Sequence, residues 1–236
     1  MIEKSDGLVI KAIKYSESTL IAKIFTRNHG LLSFIIPGAR SNKKSAIGHI
    51  IQPTHFLSLD YYYQRNKNLL HIKECKLSCI HYQLLVDFTK KSIAIFYLEV
   101  LSKCIHDDEV NVQLYDFIQY EYDKLETTLS DVDLALAPLH YLLGLALQLG
   151  FSPHLNSDGR YFHLLEGVFV HYPEGIHTID AESSGYLRLL LEHKQVSMHF
   201  LQRKILLQHL LAYFSLHVPS FGNIHSVEIL HEILTA

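Results

Sequence analysis

The chain has 236 residues, 48% of them apolar and 19% charged, with a formal net charge of −3. That is enough apolar material for one large domain or two small ones. The three cysteines, Cys75, Cys79 and Cys104, exclude a disulfide framework, and the CxxxC spacing of the first two has no second pair to complete a zinc site. They read as buried thiols in a reducing compartment. The absence of an unbroken apolar run of about 18 residues excludes an evident membrane helix, and the opening MIEKSDG is no hydrophobic signal segment. The expected localisation is cytoplasmic.

The charge is unevenly placed. Residues 1–80 carry 12 Lys and Arg against 5 Asp and Glu, whereas the rest carries 9 against 19. A basic first third joined to an acidic remainder suggests two domains with different partners, and any polyanion should meet the first third. The 17 histidines are scattered singly and form no ligand pattern.

Residues 6–77 read as five short strands. Leu8, Ile10 and Ala12 alternate with Val9, Lys11 and Ile13 before YSES interrupts; Leu20 to Phe25 follows, then the turn Arg27–Gly30, then Leu31 to Ile36. Pro37 cannot donate to a ladder and ends that strand. After a long loop come His55 to Gln64, a turn at 65–68, and Leu69 to Leu77. Five antiparallel strands with one long loop after the third suit a small closed barrel, an OB-fold with an SH3-like barrel close behind. The expected first domain is 1–78.

From His81 the apolar period becomes helical. Leu84, Leu85, Phe88, Ile95, Phe96 and Val100 predict a helix running to Lys103, and a second is expected over 110–126. Ser130, three positions before Asp133, opens LALAPLHYLLGLALQLG, apolar nearly all round and therefore the central helix of a second domain at 81–236. Pro138 implies a kink or restart, Gly150 a C-terminal cap, and Gly144 a close helix crossing. Residues 151–180 break the pattern, with a hairpin turning at Glu166-Gly167. Helices resume over Ala181–Glu192, Val196–His217 and Ser226–Ile233. The fold class is thus α+β, a barrel followed by a mostly helical domain with a small inserted hairpin.

The stretch around which this plan turns is HGLLSFIIPGARSNKKSAIG, residues 29–48. A strand passes through Pro37 and Gly38 into a loop with Arg40, Lys43 and Lys44, three cations within five positions beside two serines, which suits an oxyanion better than a core. Lys11, Lys14, Lys23, Arg27, Arg65 and Lys67 are further candidate phosphate contacts, and Tyr15, Tyr61 and Tyr63 candidate stacking residues. Alternation sends Tyr62 to the face opposite Tyr61 and Tyr63, so at least one of the three belongs to a core. In the acidic remainder, Arg203 and Lys204 stand out on a helix as a partner or DNA contact, with plain surface charge as the alternative. There is no nucleophile elbow, HExxH, Walker loop or carboxylate set, so no catalytic residues are assigned and an enzyme is not expected.

The order YSESTLIAKIFTRNHGLLSFIIPGARSNKKSAIGHIIQP resembles the opening of the bacterial DNA repair protein RecO family, through Tyr15-Ser16-Glu17, Phe25-Thr26 with Gly30, Gly38-Ala39-Arg40 with Lys44-Ser45, and Gln52-Pro53. LQLGFSPHL at 147–155 and HVPSFGNIHSVEIL at 217–230 resemble later family segments. The resemblance implies an N-terminal OB-fold and a helical domain. It implies binding of single- and double-stranded DNA, annealing of complementary strands, association with the nucleoid, and partnership with RecR and the C-terminal tail of single-strand-binding protein so that RecA loads. Many relatives carry a four-cysteine zinc module after the central helix; residues 151–180 here hold no cysteine, and His154, His163, His171 and His177 are unevenly spaced, so no metal or cofactor is expected. The rival reading is an OB-fold protein-interaction scaffold without direct DNA contact.

Overall fold

The computed structural model describes residues 1–39, 47–107, 109–155 and 158–234. Arg40, Lys43 and Lys44 lie outside the described residues. The first five strands are β1 (Ile2–Lys14), β2 (Leu20–Thr26), β3 (Gly30–Ile36), β4 (Phe56–Tyr62) and β5 (Leu70–Leu77), with a four-residue helix α1 (Ile47–Ile50) before β4. They close a barrel in the order β1-β2-β3-β5-β4, with β3 and β5 parallel and all other pairs antiparallel. This is the OB-fold arrangement, and the SH3-like alternative falls away.

The first strand begins earlier than alternation predicts. Its charged opening, Ile2 to Leu8, pairs with β4, while Gly7 to Lys14 pairs with β2. One long strand shared by two neighbours closes the barrel, and its polar first half carries no apolar period by which sequence could register it.

The first four strands send alternate residues to two cores. Val9, Ala22, Ile24, Phe34, Leu57, Leu59 and Tyr61 fill the barrel. Their neighbours Leu8, Phe25, Leu31 and Phe56 point outward and are also buried, joining the core of the helical part. Leu8 pairs with both Phe25 and Phe56, and Phe25 with Leu31, so these four make one apolar patch on the outer wall. Burial on both faces explains why these strands read as near-continuous apolar runs.

The helical part comprises α2 (Tyr82–Val86), α3 (Phe88–Cys104), α4 (Val112–Thr127) and α5 (Asp131–Gln148), then the hairpin β6 (Tyr161–His163) and β7 (Val168–Val170), and α6 (Ala181–Leu191), α7 (Phe200–His217) and α8 (Ser226–Ile233). The single helix expected from His81 to Lys103 is two, because Asp87 leaves helical geometry and accepts from the Lys90 N–H as the cap of α3. Ser130 caps α5, which runs through Pro138, and Gly150 follows its end with φ +83°. A Cβ at Gly144 would lie 2.6 Å from the Phe117 ring, so the glycine lets α4 and α5 approach closely. Among the described residues no helix is long and apolar enough to cross a membrane.

Candidate nucleic-acid interface

The apolar outer patch fixes which way the barrel faces. Tyr115 and Tyr122 of α4 pack on it, with ring centroids 5.9 Å apart for Phe25–Tyr115 and 5.2 Å for Phe56–Tyr122. The β2–β3 turn lies along this seam. Gly30 takes φ +68°, and a Cβ there would collide with the Glu109 carbonyl, so glycine is required twice over at this position.

The seam also takes up charge. Arg27 grips Asp116 of α4 with two hydrogen bonds, Nε at 2.7 Å and a terminal nitrogen at 2.9 Å. The guanidinium hydrogen bond holds the Asp116 carboxyl below its usual range. Lys23 reaches Asp107 at 3.2 Å. Farther along, His81 Nε2 lies 2.8 Å from Asp123 of α4. Burial alone would lower the His81 pKa, but its contacts with Cys79 and Asp123 outweigh that and raise it to about 9. Glu126, at the end of α4, accepts from the Gln83 and Leu84 N–H groups at the start of α2.

The opposite ends of β2 and β3 are arranged differently. Lys14 pairs with Leu20, Leu20 with Ile36, and Phe34 with Leu70. The β1–β2 loop, the loop after β3 and the β4–β5 loop therefore leave adjoining strand termini. Lys14, Tyr15, Arg65 and Lys67 are all exposed there, Tyr15 at 66%. The loop after β3 is the one whose sequence holds Arg40, Lys43 and Lys44. Lys11 lies directly across from Lys23 on the outer wall. The structure adds Lys73 and Lys76, exposed on β5 and passed over in the sequence because a lone lysine in a strand carries no pattern.

The aromatic candidates divide. Tyr61 is fully buried in the barrel core, edge-on to Phe34 at 5.3 Å, with its hydroxyl 2.7 Å from His29 Nδ1, so it is unavailable for stacking on a base. Inward alternation made it core, as one of the three tyrosines had to be. Tyr63 is half-buried and stacked on His29 at 4.2 Å, while Tyr62 is the exposed member at 48%.

In the helical part, Arg203 donates to the Met198 carbonyl at 2.7 Å and to the Leu234 carbonyl at 2.9 Å, tying α7 to the end of α8. With Lys204 it borders an apolar groove formed by Leu139, Phe200, Leu207 and Leu230. His231 lines the same groove, and its Nε2 is buried with no hydrogen-bond partner among the described residues. Among the described residues, only one group of three donors gathers closely enough for a metal, Cys79, His81 and Asp123 within 4.8 Å of one another, and none of the hairpin histidines is in it.

A family model described as "Recombination protein O N terminal" matches residues 1–80, the span of the barrel and the three residues after it. Over 98% of its length the chain is 31% identical to the DNA repair protein RecO of Flavobacterium psychrophilum, covering 99% of that protein. It is 30% identical to the RecO of Porphyromonas gingivalis, with 98% of both chains covered, and 27% identical to that of Bacteroides fragilis, with 99% of both covered. The similarity thus spans the barrel, the seam and the helical part alike, and the chain belongs to the DNA repair protein RecO family.

Proposed function

We propose that this protein is a DNA-binding recombination mediator that anneals complementary single strands and, with RecR, helps load RecA onto DNA covered by single-strand-binding protein. Family membership carries the general role in recombinational DNA repair and makes the protein a non-enzyme. The finer reading is supported by one observation above all, the adjoining loop ends of the barrel with exposed Lys14, Tyr15, Arg65 and Lys67. OB-folds bind nucleic acid through their β2–β3 face and their β1–β2 and β4–β5 loops, where cations follow the backbone and aromatic rings stack on bases. Annealing then needs no catalytic residue. Two strands whose phosphates are partly neutralised lose much of their mutual repulsion, and base pairing supplies the driving force.

Fluorescence-anisotropy titration of a labelled single-stranded oligonucleotide tests this at several salt concentrations. Replacing Lys14, Arg65 and Lys67 by alanine should leave the circular dichroism unchanged and reduce the slope of log K against log salt by about two. Replacing Arg40, Lys43 and Lys44 should reduce it by a similar amount, with annealing falling in parallel. If both folded variants keep affinity and slope, the loop ends are not the DNA path and the scaffold reading takes their place.

The tail of single-strand-binding protein, acidic and apolar, is the proposed occupant of the groove between α5, α7 and α8. Its apolar walls and Lys204 at the rim match a chain end of that chemistry. Lys204→Glu should weaken binding of such a tail peptide by about tenfold, since it sets like charges against each other. Unchanged affinity in calorimetry would remove this groove from the proposal.

A further inference from the structure

The junction between the barrel and α2 holds a group of side chains that the proposed DNA path does not include. After β5 the Ser78 N–H donates to the Phe56 carbonyl at 3.0 Å, and the next residues carry Cys79 and His81 toward α4. Cys79 Sγ lies 3.9 Å from each ring nitrogen of His81, and His81 Nε2 lies 2.8 Å from Asp123 Oδ1. The His81 side chain is only 9% exposed and packs against the rings of both Phe56 and Tyr122, with centroids at 5.6 and 6.3 Å, so packing sets its orientation. Asp123 is 54% exposed and has room to adjust. Cys79 and His81 also line an open cleft of about 430 Å³ beside Gln52, Leu85 and Lys91, which gives an ion and a water a way in.

We propose that Cys79, His81 and Asp123 form a zinc site, with water as the fourth ligand. One thiolate, one imidazole and one carboxylate form a mixed set suited to a borderline-soft divalent ion, and a tetrahedral ion with three protein donors and an open fourth position is a known zinc arrangement. All three donors lie within 4.8 Å of one another, and donors on a tetrahedral zinc lie about 3.5 Å apart. Cys79 Sγ, 3.9 Å from His81 Nε2, would therefore draw in slightly, while the exposed Asp123 carboxylate, 2.8 Å from Nε2, would move back to admit the ion. The ion would replace the thiol and imidazolium protons, which pass to solvent. The other two thiols are poor competitors, because burial pushes Cys75 up to about 11 and Cys104 up to about 12. Zinc here would staple the connection after the barrel to α4 and fix the seam from a second side.

The test uses the full-length protein, stripped with chelator and titrated with zinc against a chromophoric competitor, then with cobalt(II). One equivalent should bind, and cobalt should give a thiolate charge-transfer band in the near ultraviolet. Cys79→Ser should abolish that band, Asp123→Asn should weaken binding at least about tenfold, and Cys75→Ser should change neither. Because Asp123 is exposed, its variant keeps the test valid even if Cys79→Ser fails to fold. Absence of stoichiometric binding by the wild type overturns the proposal, and so does a charge-transfer band that persists in Cys79→Ser.

Discussion

The two ends of β2 and β3 make an instructive contrast. Where Thr26 meets Gly30, cations, aromatic rings and backbone are committed to the helical part: Arg27 to Asp116, Phe25 to Tyr115, Gly30 to Glu109. Where Leu20 meets Ile36, the neighbouring loops leave Lys14, Tyr15, Arg65 and Lys67 exposed. The chain thus spends part of its basic first third internally. A positive count over 80 residues measures available charge, and only partner geometry says how much of it remains for a polyanion.

The contrast breaks most visibly at Phe56, which is 1% exposed and faces Tyr115, Tyr122 and His81. Phe56→Ala should cost about 3–5 kcal/mol in denaturant unfolding, with barrel and helices melting together because they share that core. A loss below about 1 kcal/mol would mean that the seam is not a packed interface.

Next in size is a comparison of two tyrosines. Tyr15→Ala should weaken oligonucleotide binding by about 1–3 kcal/mol if one base stacks on the ring, while stability stays within about 0.5 kcal/mol. Tyr61→Phe should do the reverse, leaving affinity alone and costing about 1 kcal/mol of stability for the lost contact with His29. If both variants affect binding equally, the assignment of one ring to DNA and the other to the core fails.

The smallest effect is at the exposed ion pair. Arg27 depresses the folded-state pKa of Asp116, so the pair contributes above the ordinary carboxylate pKa and its contribution is lost as pH falls through the depressed value. Wild type should therefore lose slightly more stability than Asp116→Asn in thermal melts taken from about pH 5 down to about pH 2, without any change in the DNA salt slope at neutral pH. Parallel pH profiles for the two proteins would show that the seam charge is idle.

Much was legible from residue order alone. The change of period near His81, the turn at 27–30, the cap at Ser130 and the inserted hairpin follow from local preferences that tertiary contacts reinforce, which is why sequence and structure agree there. The family resemblance read from Tyr15 to Pro53 likewise rests on local spacing, and the relatives extend it over the whole chain. Local rules could not say that Asp87 divides one helical run in two, since a period persists across a one-residue break.

What only the tertiary structure decided depends on residues far apart in the chain. The sequence made Arg27 a cation and Tyr61 an aromatic ring; the placement of Asp116, 89 residues on, and of His29 across the barrel end gave each its partner. The same holds for Cys79. Its CxxxC spacing to Cys75 promised nothing, and the donors that complete its surroundings are His81 in the connection and Asp123 on α4. Sequence fixes the chemistry each side chain can offer through local periodicity and composition. Which groups meet, and which are left exposed, is set by the packing of Leu8, Phe25, Leu31 and Phe56 against the helices, a surface assembled from four strands that no stretch of sequence contains.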